Sequence, residues 1–241
     1  MARIASTRVD EVHKELRLAI LNGDLLPGTR LLSVELCEAY QASSGVLREV
    51  LTRLVGDGLV VSESQRGFRV VEVSPDDLMQ LTESRVLVET ALVEQSAACG
   101  DLDFEAALTA SHHRLARTPM IDQDGRVIPE WLEAHREFHA RLLSGSDNLR
   151  LRGIAASLRD AAEVYLCWSR TVSGDVERDV AAEHLDLLNA ALEHDPDRAV
   201  ALLKAHIERT TQALLLSREA DTATADDAAS TRVAQTEGAG Q

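Results

Sequence analysis

The chain has 241 residues, of which 45% are apolar and only 3% aromatic, and it contains 5 prolines and 13 glycines. All-β sandwiches and barrels draw on aromatic residues for their strands and on Gly and Pro for their turns, so this composition argues against them. The length suits one large domain or two ordinary ones, and the composition favours a mainly helical protein.

The net charge of −15 would oppose nucleic-acid binding if it were spread evenly, but it is concentrated after residue 74. Through Ser74 the chain has 9 Lys and Arg against 10 Asp and Glu, whereas the remainder has 16 against 30. A nearly neutral N-terminal segment can present a basic face to DNA while an acidic partner domain stays away from the phosphates. The charge distribution therefore permits a DNA-binding N-terminus.

Cysteine usage and hydropathy predict a cytoplasmic protein. Cys37, Cys99 and Cys167 are odd in number and widely spaced, which suits a reducing compartment better than a disulfide framework. No apolar run approaches the ~20 residues that a membrane helix needs. The first residues also lack the apolar stretch of a signal peptide, so we expect no membrane partner.

The first 73 residues show three helical segments followed by two short strands. Apolar residues at a period of 3.6 predict a helix over 8–22. A short helix is predicted after Ser33, and a third helix after Ser43. Strands are predicted at 59–61 and 68–71, and they would form a hairpin.

Ser74-Pro75 marks the clearest boundary in the chain. It combines an N-cap Ser with Pro at the first helical position, and two carboxylates follow that face the helix dipole. The pattern from there onward is helical, with helices predicted over 76–99, 103–117, 126–144, 147–172, 176–193 and 196–217. We therefore predict a mainly α fold with a domain over 1–73, an all-helical domain over 74–218 and a disordered, Ala- and Thr-rich tail over 219–241.

Three helices with a tight turn between the second and third, followed by a hairpin, are typical of a winged helix-turn-helix. The exposed first turn of the third helix would reach base edges in the major groove, and the hairpin tip would reach phosphates or the minor groove. The candidate DNA-binding residues are Arg30, Ser43, Ser44, Gly45, Arg48, Arg66 and Gly67. A small helical bundle with an incidental hairpin would give the same pattern and stays open at this point.

Four histidines, His135, His139, His184 and His206, fall on the inward stripes of three predicted helices. His135 and His139 are four residues apart, so both imidazoles can reach one cation. Buried imidazoles need polar partners for both nitrogens, and a shared metal would satisfy four acceptor atoms at once. The spacing favours a metal site over the alternative, in which the histidines are hydrogen-bonded residues of the core.

Arg85 lies on the inward stripe of the helix predicted from residue 76. A buried guanidinium needs a carboxylate partner. Glu89, one turn further on, can supply that carboxylate, and so can an anionic ligand within the helical domain. Both interpretations stay open at this point.

Four stretches of the N-terminal domain match a known family in both residue type and spacing. They are Ile20–Leu32, Ser43 to Leu51, Leu54 to Val60, and Arg66-Gly67. Together they resemble the GntR family of bacterial transcription regulators. The run from Ser74 to Glu89 is similar to the opening of the FadR-type, all-helical FCD effector domain. The resemblance implies a homodimer that binds double-stranded operator DNA.

The chain departs from this family at the start of the third helix. Where the family usually has Ser-Arg-Thr-Pro-Val-Arg, this sequence has Ser43-Ser-Gly-Val-Leu-Arg48. The long basic side chain at 44 is missing, and Gly45 costs the helix about 1 kcal/mol relative to Ala. Arg48 is therefore the best candidate for a guanine contact, worth roughly 1–3 kcal/mol of discrimination.

The resemblance also implies a metal in the helical domain. Many FadR-type effector domains hold a divalent metal with an Asp-x-x-x-His pair and one His from each of two later helices, and His135 stands here where that Asp usually does. Four neutral imidazoles leave the +2 charge uncompensated, which favours an anionic effector and metals such as zinc or nickel. The resemblance further implies that Arg85 shares a small carboxylate ligand with the metal.

The sequence therefore predicts a ligand-responsive transcriptional regulator and not an enzyme. A small anionic metabolite at the metal site would bias the helix over 76–99 and thereby operator affinity. One alternative is a metal-dependent enzyme built on the His-rich bundle, although four His ligands leave less open coordination space than a catalytic site needs. The other is a regulator with a metal-free pocket.

Overall fold

The computed structural model describes residues 7–123, 127–168 and 178–237. Its N-terminal part contains three helices, α1 (Arg8–Leu21), α2 (Ser33–Ala39) and α3 (Ser44–Gly56). A capping box between Thr7 and Asp10 starts α1. The inward stripes of α1 and α3 are buried, as the 3.6-residue period predicts.

A three-stranded antiparallel sheet completes this part. Strands β2 (Val60–Glu63) and β3 (Gly67–Val70) form the predicted hairpin, and β1 (Arg30–Leu31) pairs with the other edge of β3. Two residues are too few to show strand alternation, which is why the sequence did not predict β1. Helices and sheet together form a winged helix-turn-helix, so the mainly α fold class is confirmed.

The C-terminal part is entirely helical where it is described. Its helices are α4 (Pro75–Cys99), α5 (Leu102–Arg117), α6 (Pro129–Leu142), α7 (Leu149–Trp168), α8 (Val180–Leu192) and α9 (Pro196–Glu237). The Ser74 side chain accepts a hydrogen bond from the Asp77 backbone N–H and so caps α4 as predicted. Across the described ranges, no helix has both the length and the apolar character of a membrane span.

The start of α6 differs from the prediction, and parts of two other predicted helices cannot be compared. The helix expected from residue 126 begins at Pro129, because Ile121 and Val127 form a β-bridge just before it and Pro favours the first helical position. The predicted segments over 169–172 and 176–177 lie outside the described residues.

Helix α9 is longer than predicted. Disorder was expected from residue 219, whereas α9 continues to Glu237, and residues 238–241 lie outside the described ranges. Loss of the apolar stripe suggested disorder, yet Ala, Arg, Glu and Gln are all strong helix formers. Ten of the 19 residues over 219–237 are of these types, and they favour a helix even without an apolar stripe.

The winged domain packs directly against α7. Gly58, which follows α3 with φ +73°, faces Ala161 so closely that a Cβ at position 58 would lie 3.0 Å from the Ala161 Cβ. The buried apolar residues of both parts, including Leu54 and Phe138, form one continuous cluster. A change in the helical domain can therefore reach the winged domain through packed side chains.

Candidate metal centre and nucleic-acid interface

The four predicted histidines meet inside the C-terminal helices. His135 and His139 lie on α6, His184 on α8 and His206 on α9, and one potential ligand atom from each lies within 4.8 Å of the others. His135 is partly buried, and the other three are buried. The structure thus brings together all the residues that the spacing singled out, and we call them the four-histidine cluster.

The ring nitrogens of this cluster are short of hydrogen-bond partners. Among the residues that the structure describes, His184 Nε2 and His139 Nδ1 are buried without one. The Nε2 atoms of His135 and His139 are 3.1 Å apart, and only one of two such nitrogens on neutral rings can donate to the other. A divalent cation would accept lone pairs from several rings at once, so these residues fit such an ion.

The environment of the cluster favours neutral imidazole. Burial lowers the pKa of His135, His139 and His184 well below its ordinary value, and neighbouring imidazoles lower it further. Neutral imidazole is the form that binds metals. Trp131 stacks on His135 with a ring-centroid distance of 4.6 Å and an interplanar angle of 16°, which restricts that ring.

Glu183 orients His206. Its Oε2 lies 2.7 Å from His206 Nδ1, so an Nδ1–H donates to the carboxylate and Nε2 is left as the potential ligand. Burial alone would raise the pKa of Glu183, but hydrogen bonds from Arg178 and His206 hold it below its ordinary value, so the carboxylate stays ionised. Glu183 directly precedes the inward-facing His184 on its own helix, so the sequence pattern does not place it at the site. Its partner lies on α9, which helical periodicity cannot reveal.

A cavity adjoins the cluster and is lined by His135, His139 and His206. Its charged lining comprises Arg85, Arg136, Arg159, Arg178 and Glu163. Four guanidiniums against one carboxylate make the wall predominantly basic, which suits an anionic ligand.

The structure confirms that Glu89 is the carboxylate partner of Arg85, and the anionic ligand stays a prediction. The Nε of Arg85 donates to Glu89 Oε1 at 2.8 Å, and Arg85 also lines the cavity. The sequence does not single out Arg159 on α7, because the buried face of a helix is recognised by its apolar residues and Arg159 is charged. The buried face of that helix includes Ala155, Arg159 and Glu163, and charges of opposite sign four residues apart were the signal available.

The first turn of α3 is exposed as predicted. Ser43 is the N-cap, with its Oγ 3.3 Å from the Val46 backbone N–H, and Ser44, Gly45 and Arg48 face solvent. Within the described part of the chain, no carboxylate pairs with Arg48. Arg53 on the same helix is instead held by Asp10 at 2.9 Å and by Glu49 at 2.8 Å. Arg48 is thus the more available of these two cations for a base edge.

The wing tip is stabilised by Arg30. Its Nε and Nη2 donate to the Arg66 carbonyl at 3.1 and 2.8 Å. Gly67 has φ +90°, in the region that glycine adopts at no steric cost, and Arg66 beside it is exposed. Arg30 therefore positions the tip on which Arg66 and Gly67 lie, while its own contact with DNA stays a prediction.

Comparison with known proteins gives two family matches. Residues 8–70 match the model described as bacterial regulatory proteins, gntR family, and residues 80–209 match the FCD domain. The two matches correspond to the winged domain and to most of the C-terminal helices.

Curated relatives and solved structures agree with these matches. The chain is 33% identical over 212 residues to the HTH-type transcriptional regulator BphR of Paraburkholderia xenovorans, covering 85% of each protein. It is 30% identical over 198 residues to the HTH-type transcriptional repressor GlaR of Escherichia coli, covering 81% of this chain and 90% of that one. A GntR regulator structure from a Rhodococcus species has a TM-score of 0.63 at 27% identity, over 86% of this chain and 97% of that chain. Escherichia coli McbR/YncC has the same fold, with a TM-score of 0.70 at 20% identity over 88% of this chain and 98% of that chain.

Proposed function

The chain belongs to the gntR family of bacterial regulatory proteins and carries an FCD domain, and we propose that a small carboxylate effector, bound at a divalent metal in that domain, controls its affinity for operator DNA. Membership makes it a DNA-binding transcriptional regulator, and its relatives are regulators and not enzymes. We accordingly divide the chain into a DNA-binding domain over 1–73 and an effector domain over 74–218.

One observation carries the proposal: the four-histidine cluster borders a cavity whose charged lining is mostly guanidinium. The cluster would hold zinc or nickel, since both suit imidazole ligands. A bound cation would supply a Lewis-acidic positive charge for one carboxylate oxygen. Arg85 in the cavity wall would then orient the same ligand through charge-assisted hydrogen bonds.

On the DNA side, α3 would enter the major groove and the wing would contact the backbone or the minor groove. Two winged domains related by a two-fold axis would read a palindromic operator, so we propose that the regulator acts as a homodimer. The dimer would act as a repressor where the operator overlaps a promoter, because the bound dimer would block access to that promoter.

Helix α4 connects the two sites. Only four residues separate its start at Pro75 from the end of β3 at Val70, and it carries Arg85 into the cavity wall. A ligand that binds Arg85 more tightly in one orientation of α4 favours that orientation. The winged domain that precedes α4 in the chain would change its position with the helix.

The proposal is tested with the full chain, purified without a histidine tag. Metal content is measured by mass spectrometry, and an operator is selected from a random duplex library. We expect one divalent metal per chain and a change in operator affinity of at least about fivefold with some small carboxylate. A carboxylate response in metal-free protein would favour the metal-free pocket. Indifference of the metal-loaded protein to every carboxylate would contradict the proposal.

Arg48→Ala is expected to weaken binding to the selected operator by about 1–3 kcal/mol and to relax specificity at one base pair. The reason is that Arg48 is exposed and available for a base edge. Fluorescence anisotropy with operator and scrambled duplexes measures both effects. Arg53→Ala is the matched control, because Asp10 and Glu49 already hold that guanidinium. An equal loss of affinity in the two variants would refute the role given to Arg48.

Glu183→Gln is expected to lower zinc affinity by about 10–100-fold, as removal of an outer-shell carboxylate typically does. The amide keeps the size of the side chain but loses the charge that fixes the Nδ1–H tautomer of His206. Competition against a chromophoric zinc chelator measures the change. Glu137→Gln, on an exposed pair with Arg141, should leave zinc affinity as it is.

A further inference from the structure

Two buried arginines in the cavity share a single carboxylate. Arg85 Nε donates to Glu89 Oε1 at 2.8 Å, and Arg159 Nη1 lies 4.0 Å from Glu89 Oε2. The Glu89 side chain is fully buried, and the side chains of Arg85 and Arg159 are only 12% and 10% exposed. One negative charge thus serves two guanidiniums, and guanidiniums stay protonated in proteins.

The other two guanidiniums of the cavity wall each have a carboxylate partner. Arg136 pairs with Glu163 and Asp160, which also contact Arg17 of α1. Arg178 pairs with Glu183, which the exposed Arg209 also contacts. The uncompensated positive charge of the wall is therefore at Arg85 and Arg159. Such a charge is costly to bury unless an anion pairs with it.

Individual buried atoms around Arg159 also lack hydrogen-bond partners among the described residues. Its Nε and Nη1 are buried and, over the ranges that the structure describes, have no hydrogen-bond partner. Glu89 Oε2 is likewise buried and unpartnered there. Burial lowers the pKa of the Arg159 guanidinium, which marks a charge with poor solvation. The side chain lines the cavity, so a ligand can reach it.

We propose that Arg159, which shares Glu89 with Arg85, forms a second anion-binding site in the cavity beside the four-histidine cluster, and that the effector is therefore a dicarboxylate. This inference rests on the proposed function, because it takes the cavity as the effector site. One carboxylate group of the ligand lies at the cluster, and the other pairs with Arg159. Apolar lining residues such as Leu81, Met120 and Leu166 suit the carbon chain that joins them.

A monocarboxylate can neutralise only one of these two positive sites. The second acid group gains a charge-assisted hydrogen bond, and the contribution of such a bond corresponds to an affinity gain of about 10–100-fold. Comparison of a dicarboxylate with the monocarboxylate of the same number of carbon atoms isolates this gain. The apolar contacts of the two ligands contribute similarly to their affinities.

The test is isothermal titration of the zinc-loaded full chain with linear dicarboxylates of three to six carbons and with the monocarboxylates of the same length. We expect at least one dicarboxylate to bind about 10–100-fold more tightly than its matched monocarboxylate. Arg159→Met should reduce this ratio to within about threefold, because it weakens dicarboxylate binding more than monocarboxylate binding. Arg159→Lys should restore part of the ratio, and Arg150→Met, exposed on the same helix, should preserve it.

Folding of Arg159→Met is checked by thermal unfolding without ligand. Because the substitution removes an uncompensated buried charge, we expect a melting temperature equal to or above that of the unsubstituted protein. Monocarboxylate binding with no dicarboxylate advantage would overturn the second anion-binding site and leave the proposed function standing. A dicarboxylate advantage that persists in a folded Arg159→Met variant would do the same. Failure of every carboxylate to bind would overturn both.

Discussion

His139→Ala is expected to lower zinc affinity by more than about 100-fold, since even an outer-shell partner typically contributes 10–100-fold. His139 is buried at the centre of the four-histidine cluster, with ring-centroid distances of 4.5, 5.3 and 5.2 Å to His135, His184 and His206. No other described residue of the metal-ligating types joins that group, so a substitute ligand is not at hand. The variant should also lose zinc-dependent thermal stabilisation, which amounts to about 2.7 kcal/mol at a free zinc concentration of 100 Kd.

Two controls make the result specific. His113→Ala removes an exposed imidazole outside the cluster and should bind zinc normally. His135→Asp keeps a ligand atom on the same turn of α6 and should retain zinc. It also supplies a negative charge that offsets part of the charge of the metal. The metal site of this variant should therefore have a weaker preference for an anionic ligand. Unchanged zinc affinity in His139→Ala would contradict the metal centre.

The winged domain and the four-histidine cluster could be predicted from sequence because each depends on local signals. Cap residues such as Ser43 and Ser74 act within one turn of a helix. The histidines of α6 are recognised by their spacing and those of α8 and α9 by the apolar stripe that they share. These signals are properties of single helices, and the structure reproduces them.

What the sequence could not show are the contacts between helices. Glu183 reaches across to His206, and Arg159 faces a carboxylate that belongs to α4. Both residues are charged positions that a search for apolar stripes passes over. Their roles depend on how neighbouring helices are placed in space, and periodicity carries no information about that placement.

A further contact of this kind connects the cavity with the winged domain. Glu163, which lines the cavity, accepts from Arg136 Nε and Nη2 at 3.0 and 2.8 Å. Its Oε2 also accepts from Arg17 Nη2 of α1 at 2.6 Å. Glu163 is nearly buried, and Arg17 is only 11% exposed. One carboxylate therefore joins the cavity wall to the winged domain.

Glu163→Ala is expected to reduce the free energy of unfolding by about 3 kcal/mol, because it leaves the largely buried Arg17 guanidinium and the partly exposed Arg136 guanidinium without their main acceptor. Arg17→Ala removes only the interdomain half of the network and should cost less, about 1–2 kcal/mol. Urea unfolding of the full chain, followed by circular dichroism, measures both. Glu133→Ala, at an exposed position of α6, serves as the control and should lie within about 0.5 kcal/mol of the unsubstituted protein.

Arg17→Ala also distinguishes a connecting role from a merely stabilising one. It leaves the Arg136–Glu163 pair and the four-histidine cluster in place, so zinc and carboxylate affinities of the free protein should change little. If the bridge transmits effector binding, the ratio of operator affinities with and without carboxylate should move toward one in this variant. An unchanged ratio, together with the expected loss of stability, would show that the bridge only stabilises the fold and does not transmit effector binding.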